Sequence, residues 1–201
     1  MQTSILIAGI LAAGITAHAR DSKPADVTIF VNGSNLPRNS VDFGARTTVT
    51  WMFARMGVRL AWRAGEPGTG AASGSPVTIL VRFAKEAPAQ ASPNALAYAL
   101  PYGGLRTDIT IMYGRIREAA KRSNREQPIL AHVLAHEIAH VLQGISRHSE
   151  TGVMKAQWND RDYDAMEQER LEFTSFDMDL IKNGLDAKKA RNANSPRATL
   201  Q

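Results

Sequence analysis

Pro128-Ile-Leu-Ala-His-Val-Leu-Ala-His136-Glu137-Ile-Ala-His140-Val-Leu-Gln-Gly144 is the stretch that organises the reading of this chain. Ile129, Leu130, Val133, Leu134, Ile138, Val141 and Leu142 recur at three- and four-residue spacing, the period of an amphipathic helix. Pro128 suits its first turn, where a missing N–H costs little, and Gly144 suits its end, where left-handed backbone is needed. On such a helix residues four apart share a face, so His136 and His140 project side by side, as two ligands of one zinc ion must. Glu137 sits about 100° round from His136, off the metal but beside its open position, where it can take a proton from water.

Two histidines do not complete a catalytic zinc site, so a third protein ligand is needed. His148 is the first candidate: Gly144 can turn the chain back, and Ile145-Ser-Arg147 bring His148 round toward the same face. The carboxylates Asp162, Asp164, Glu167, Glu169 and Glu172 on a later acidic segment are the alternatives, and a chain without metal remains open at this point. His132 also shares the helix face. However, His132, His136 and His140 span about 12 Å of helix, too far for one ion, so His132 reads as structural.

Working outward, Val27–Val31, Val58–Trp62, Val77–Phe83, Ala95–Pro101 and Asp108–Tyr113 are short β-branched or apolar runs bounded by turn residues, and read as strands. A helical pattern follows Pro37 and stops near Gly57. Another spans Gly114 to about Asn124, a polar acidic helix spans Asp160–Glu172, and a shorter one spans Ser175–Asn183, ended by Gly184. Residues 64–76, rich in Gly, Ser and Pro, form a loop. The expected fold is α+β: a small twisted mixed sheet of about four to five strands, an active-site helix and C-terminal helices.

The N-terminus carries a different signal. Ile5–Ala17 is a thirteen-residue apolar run that ends at Ala17-His-Ala19, an A-x-A site, followed by polar Arg20-Asp-Ser-Lys23. That is the layout of a secretory signal peptide, too short to span a bilayer, although no Lys or Arg precedes the run. The expectation is a leader over 1–19, a mature chain from Arg20 in a secreted or periplasmic location, and no integral membrane segment in it. The formal charge of +5 resolves into parts: Lys188, Lys189, Arg191 and Arg197 carry four charges in a stretch without acids, leaving about +1 before it. Residues 187–201 therefore read as a basic flexible tail beyond a folded domain over 20–186. Charge of that kind is weak support for a nucleic-acid partner, and no phosphate loop, Ser-His-Asp arrangement or aromatic platform stands out.

The absence of cysteine among 201 residues excludes disulfides, thiol catalysis and thiolate zinc sites. Any metal must be held by histidine and carboxylate, and three of the five histidines fall between positions 136 and 148.

The segment resembles the metzincin metallopeptidases, whose pattern is His-Glu-x-x-His-x2-Gly-x2-His followed by a turn containing Met. Here each spacer around the glycine is one residue longer, and Met154 follows His148 by six residues. It is similar also to a group of uncharacterised, exported bacterial metzincin-like peptidases, through Ala95-Leu-Ala-Tyr-Ala-Leu-Pro101, His136–His140 and His148-Ser-Glu-Thr-Gly-Val-Met-Lys-Ala-Gln-Trp158. The resemblance implies a hydrolytic zinc site with Met154 beneath the ligands, a zinc-activated water, Glu137 as general base, and a peptide or protein substrate. Ala95–Pro101 or the strand ending at Tyr113 could be an edge that pairs with extended peptide. Tyr98, Tyr102 and Tyr113 read first as packing residues. The alternative function is a non-catalytic cell-envelope metal-binding or interaction module on the same fold.

Overall fold

The computed structural model of the chain describes residues 24–33, 36–68, 75–84, 92, 94–99, 106–121, 125–169 and 171–194. The expected leader over 1–19, Tyr102 and much of the 64–76 loop lie outside them. Five strands form one sheet: β1 (Val27–Asn32), β2 (Leu60–Ala64), β3 (Val77–Ala84), β4 (Ala97–Ala99) and β5 (Arg106–Met112), in the spatial order β2-β1-β3-β5-β4. Four run parallel, and β4 alone is antiparallel, pairing Tyr98 with Thr110 at one edge. Parallel neighbours cannot be joined by a hairpin, so a crossover is needed, and α1 (Asn39–Ala54) supplies the one from β1 to β2.

β3 sits at the centre because its residues tolerate burial on both faces. Ile79, Leu80 and Val81 are all fully buried, and successive side chains of a strand point to opposite sides. With the five helices found among the described residues, the α+β class read from the sequence is the class observed. Among the described residues, no helix is long and apolar enough to cross a membrane.

The helix bearing the two histidines is α3 (Glu126–Gln143). Its apolar spacing predicts an amphipathic helix with one wet face, but every residue from Ile129 to Gln143 is buried. The reason is tertiary: α1, α2 (Tyr113–Ala119), α4 (Asp160–Glu167), α5 (Ser175–Asn194), β4 and β5 all lie against it. A helix covered on all sides hides its polar residues as well as its apolar ones.

The C-terminal helix also differs from expectation. Gly184 does not end α5. It lies inside the helix where α5 crosses α3, and a Cβ there would fall 2.1 Å from the Leu142 carbonyl oxygen, so only glycine lets the backbones approach. The basic stretch from Ala187 therefore begins within the helix. Lys189 bridges Asp26 at 3.0 Å, and the Asn192 side chain donates to the Pro76 carbonyl, tying the last turns to the sheet. Residues 195–201 lie outside the description.

Candidate metal centre

α3 ends as its sequence requires. Gly144 adopts φ +71°, and its N–H bonds to the His140 carbonyl at 2.9 Å, so the chain turns back over the last helical turn. The return brings His148 to the two helical histidines. Nε2 of His140 lies 3.0 Å from Nε2 of His136 and 3.3 Å from Nε2 of His148. Among the described residues this triad is the one group of three ligating side chains close enough to share an ion.

Hydrogen bonding fixes which ring nitrogen each helical histidine presents. Nδ1 of His136 faces the Val153 carbonyl at 2.8 Å, and Nδ1 of His140 faces the Ile145 carbonyl at 3.1 Å. A carbonyl only accepts, so each Nδ1 carries the proton and each Nε2 turns a lone pair inward. Burial, reinforced by the neighbouring His140, pushes His136 down to about 3, and burial lowers His140 and His148 too. The rings are thus neutral at pH 7, as ligation needs. The Nε2 lone pairs of His136 and His140 face each other at 3.0 Å and repel one another unless a cation lies between them. Zinc–nitrogen bonds of ~2.0–2.1 Å at tetrahedral angles put neighbouring nitrogens about 3.3 Å apart, so the donor set fits that ion in type and in span.

The segment after His148 braces the triad. Gly152 has φ +77°, and a Cβ on it would lie 2.3 Å from the Glu172 carbonyl oxygen. That close approach lets Val153 N–H bond to the same carbonyl at 3.0 Å while the Val153 carbonyl holds His136. Met154 is fully buried, and its carbonyl accepts from Ser149 N–H at 2.8 Å, closing the loop. The Trp158 ring stands edge-on to His136 at 5.5 Å, and the structure thus draws the His148–Trp158 block around the histidines.

Glu137 is buried too. Burial raises its carboxyl to about 8, against a hydrogen bond from the Ala99 backbone that pulls it down. That bond ties α3 to the edge strand β4. Glu137, the three histidines, Ala97–Ala99, Trp158 and Tyr163 line one cleft of about 1170 Å³. Tyr98 lines it as well, whereas Tyr113 donates to Glu126 and stacks edge-on with Phe83 at 5.9 Å, a packing role.

The carboxylates weighed as third ligands are engaged elsewhere. Asp162 pairs with Lys155, Asp164 and Glu167 pair with Arg125, and Glu172 pairs with Arg55. Glu169 stands outside the triad at φ +55°. His132 faces the Pro128 carbonyl at 2.7 Å and the Leu171 carbonyl at 3.2 Å, which makes it a strut between α3 and the following segment. Arg115 donates to the carbonyls of Ser92 and Ala95, supporting the approach to β4.

One residue escaped the sequence reading. Asp177 is fully buried and accepts from Ser149 Oγ at 2.6 Å and from Arg147 Nη1 at 3.4 Å, the two neighbours of His148. A signal existed: Thr174-Ser-Phe-Asp177 has the spacing of a capping box, and both reciprocal bonds form, Asp177 N–H to Thr174 Oγ1 at 3.1 Å and Thr174 N–H to Asp177 Oδ2 at 3.2 Å.

No protein-family model matches the chain, and no curated protein matches it in sequence. Among solved structures, the chain is similar to the crystal structure of archaemetzincin from Methanopyrus kandleri. That alignment covers 84% of this chain and 99% of that one, at 10% identity and a TM-score of 0.48. A likeness at that level assigns no residue, and the site stands on its own geometry.

Proposed function

We propose that the chain is an exported zinc-dependent peptidase in which His136, His140 and His148 hold the ion and Glu137 is the general base. The observation that carries this reading is the convergence of three neutral imidazole nitrogens, 3.0 and 3.3 Å apart, on the floor of a cleft that also holds a buried glutamate. When bound, zinc supplies the Lewis acidity that polarises a carbonyl and makes water easier to deprotonate.

The chain's own residues do the rest. Val153 and Ile145 carbonyls keep His136 and His140 in the tautomer that offers Nε2. Burial raises the Glu137 carboxyl to about 8 in the metal-free protein, and a cation held by the neighbouring histidines would favour its carboxylate form, the form that can take a proton from water and hand it to a leaving amine. β4 is an edge strand along the cleft, and its outer side can pair with an extended peptide laid across the histidines. Residues 1–19 act as the leader in this reading, so the mature N-terminus is Arg20, which N-terminal sequencing of exported protein checks.

The test is metal content together with cleavage of a mixed peptide library by wild type and Glu137→Gln. The reading expects about one zinc per chain in both, and cleavage lost by at least about a hundredfold in the variant. Equal cleavage by both removes Glu137 as base. Zinc in both with cleavage by neither favours the non-catalytic metal-binding module, and no zinc in either ends the metal reading.

A further inference from the structure

His148 differs from its two partners in how it is held. The rings of His136 and His140 are each anchored through Nδ1 to a backbone carbonyl, but Nδ1 of His148 makes no hydrogen bond among the described residues. His148 also lies on an exposed loop, whereas the other two are on a buried helix. Something else must limit the conformations open to it, because a ligand free to swing away costs the site the entropy of recapturing it.

The fixed point is Asp177. One of its oxygens, Oδ2, accepts from the Thr174 backbone N–H at 3.2 Å and from Thr174 Oγ1 at 2.6 Å, which completes the cap of α5. The other, Oδ1, is turned to the loop and takes Ser149 Oγ at 2.6 Å and Arg147 Nη1 at 3.4 Å. Arg147 Nη1 also donates to Ser149 Oγ at 3.1 Å, and its guanidinium lies 4.7 Å over the Phe176 ring. The first turn of α5 thus grips the residues on both sides of His148 and leaves the imidazole between them pointing at the triad. A cap alone needs one oxygen and can sit in solvent. A carboxylate with no exposed surface is costly unless it is paired, and here the pairing is with the ligand loop.

We infer that Asp177 is a positioning residue for the third zinc ligand, acting through Ser149 and Arg147 to hold His148 in place. The inference rests on the zinc reading above, and its consequence is that metal affinity depends on a bond between a helix and a loop that contain no ligand atom in common.

Zinc affinity, measured by competition with a chromophoric chelator, tests it in folded variants of the mature chain. Ser149→Ala is the decisive variant, since it removes the shorter of the two loop-side bonds to Asp177 while leaving the α5 cap intact. It is expected to weaken zinc binding by about 10–100-fold, with Ser149→Thr, which restores the hydroxyl, returning to wild-type affinity. Asp177→Asn is expected to weaken binding in the same direction. In a His148→Ala background, Ser149→Ala is expected to change affinity by less than about twofold, because the ligand it serves is gone. Wild-type affinity in Ser149→Ala, or an equal loss with and without His148, overturns the inference while leaving the zinc site standing. Wild-type protein that binds no zinc overturns both.

Discussion

A histidine pair four residues apart is useful only if both rings present the same kind of nitrogen to the same point. In His136 and His140 that condition is met by two carbonyls, Val153 and Ile145, each supplied by chain that follows the helix. His132, one turn earlier, has both ring nitrogens turned to backbone carbonyls of Pro128 and Leu171 and away from the triad. His132→Ala is therefore expected to cost about 1–3 kcal/mol in urea unfolding, from the lost packing and hydrogen bond of a buried ring, with zinc affinity unchanged. Glu137 leads to a second expectation at this scale. Its folded pKa of about 8 lies above the ordinary 4.5, so the metal-free folded state binds the extra proton. The resulting contribution to stability is full below pH 4.5 and is lost as pH rises toward 8. Metal-free Glu137→Gln, neutral at every pH, is expected to be more stable than wild type at pH 8 by on the order of a few kcal/mol and to match it near pH 4.5, as denaturant melts at the two pH values will show.

At the scale of elements, α3 is the axis of the molecule, and its neighbours decide what it can carry. The crossing with α5 is close because Gly184 has no side chain where the Leu142 carbonyl sits. Gly184→Ala is favoured by helix propensity by about 1 kcal/mol, yet the added carbon meets backbone on a helix that is packed all round. The overpacking term wins, and a net loss of about 1–3 kcal/mol in urea unfolding is expected. The edge strand β4 has only three residues, which limits the exposed ladder that could recruit another chain while still offering a rail beside the cleft. α5 has two duties at opposite ends. Its first turn grips the loop of His148 through Asp177, and its last turns reach Asp26 and Pro76, the residues just before β1 and β3.

For the molecule as a whole, the metal reading has a thermodynamic consequence. A ligand that binds only the folded state at 100 times its Kd adds about 2.7 kcal/mol, and a domain of this size gains about 2–4 °C per kcal/mol. Zinc is therefore expected to raise Tm by roughly 5–10 °C, and a chelator to reverse the rise in a calorimetric scan. The formal charge of +5 has a structural side as well. Lys189 lies on α5 and is paired with Asp26, so part of the basic C-terminus belongs to the fold rather than to a loose arm seeking an anionic partner.

Much of this was legible along the chain because the physics behind it is local. The side-by-side spacing of His136 and His140, the turn at Gly144, the β-branched strands and the class of fold all follow from the helical period, from backbone sterics and from burial patterns that extend over a few residues. The return of His148 was legible to the same degree, being eight residues from His140 across one left-handed glycine. The tertiary structure alone decided the strand order, the burial of α3 on every side, the use of Gly184 as a crossing point rather than a stop, and the partnership of Asp177 with Ser149 across 28 residues. Those depend on which distant surfaces meet, and a sequence marks a surface as apolar, acidic or small without naming what it will touch.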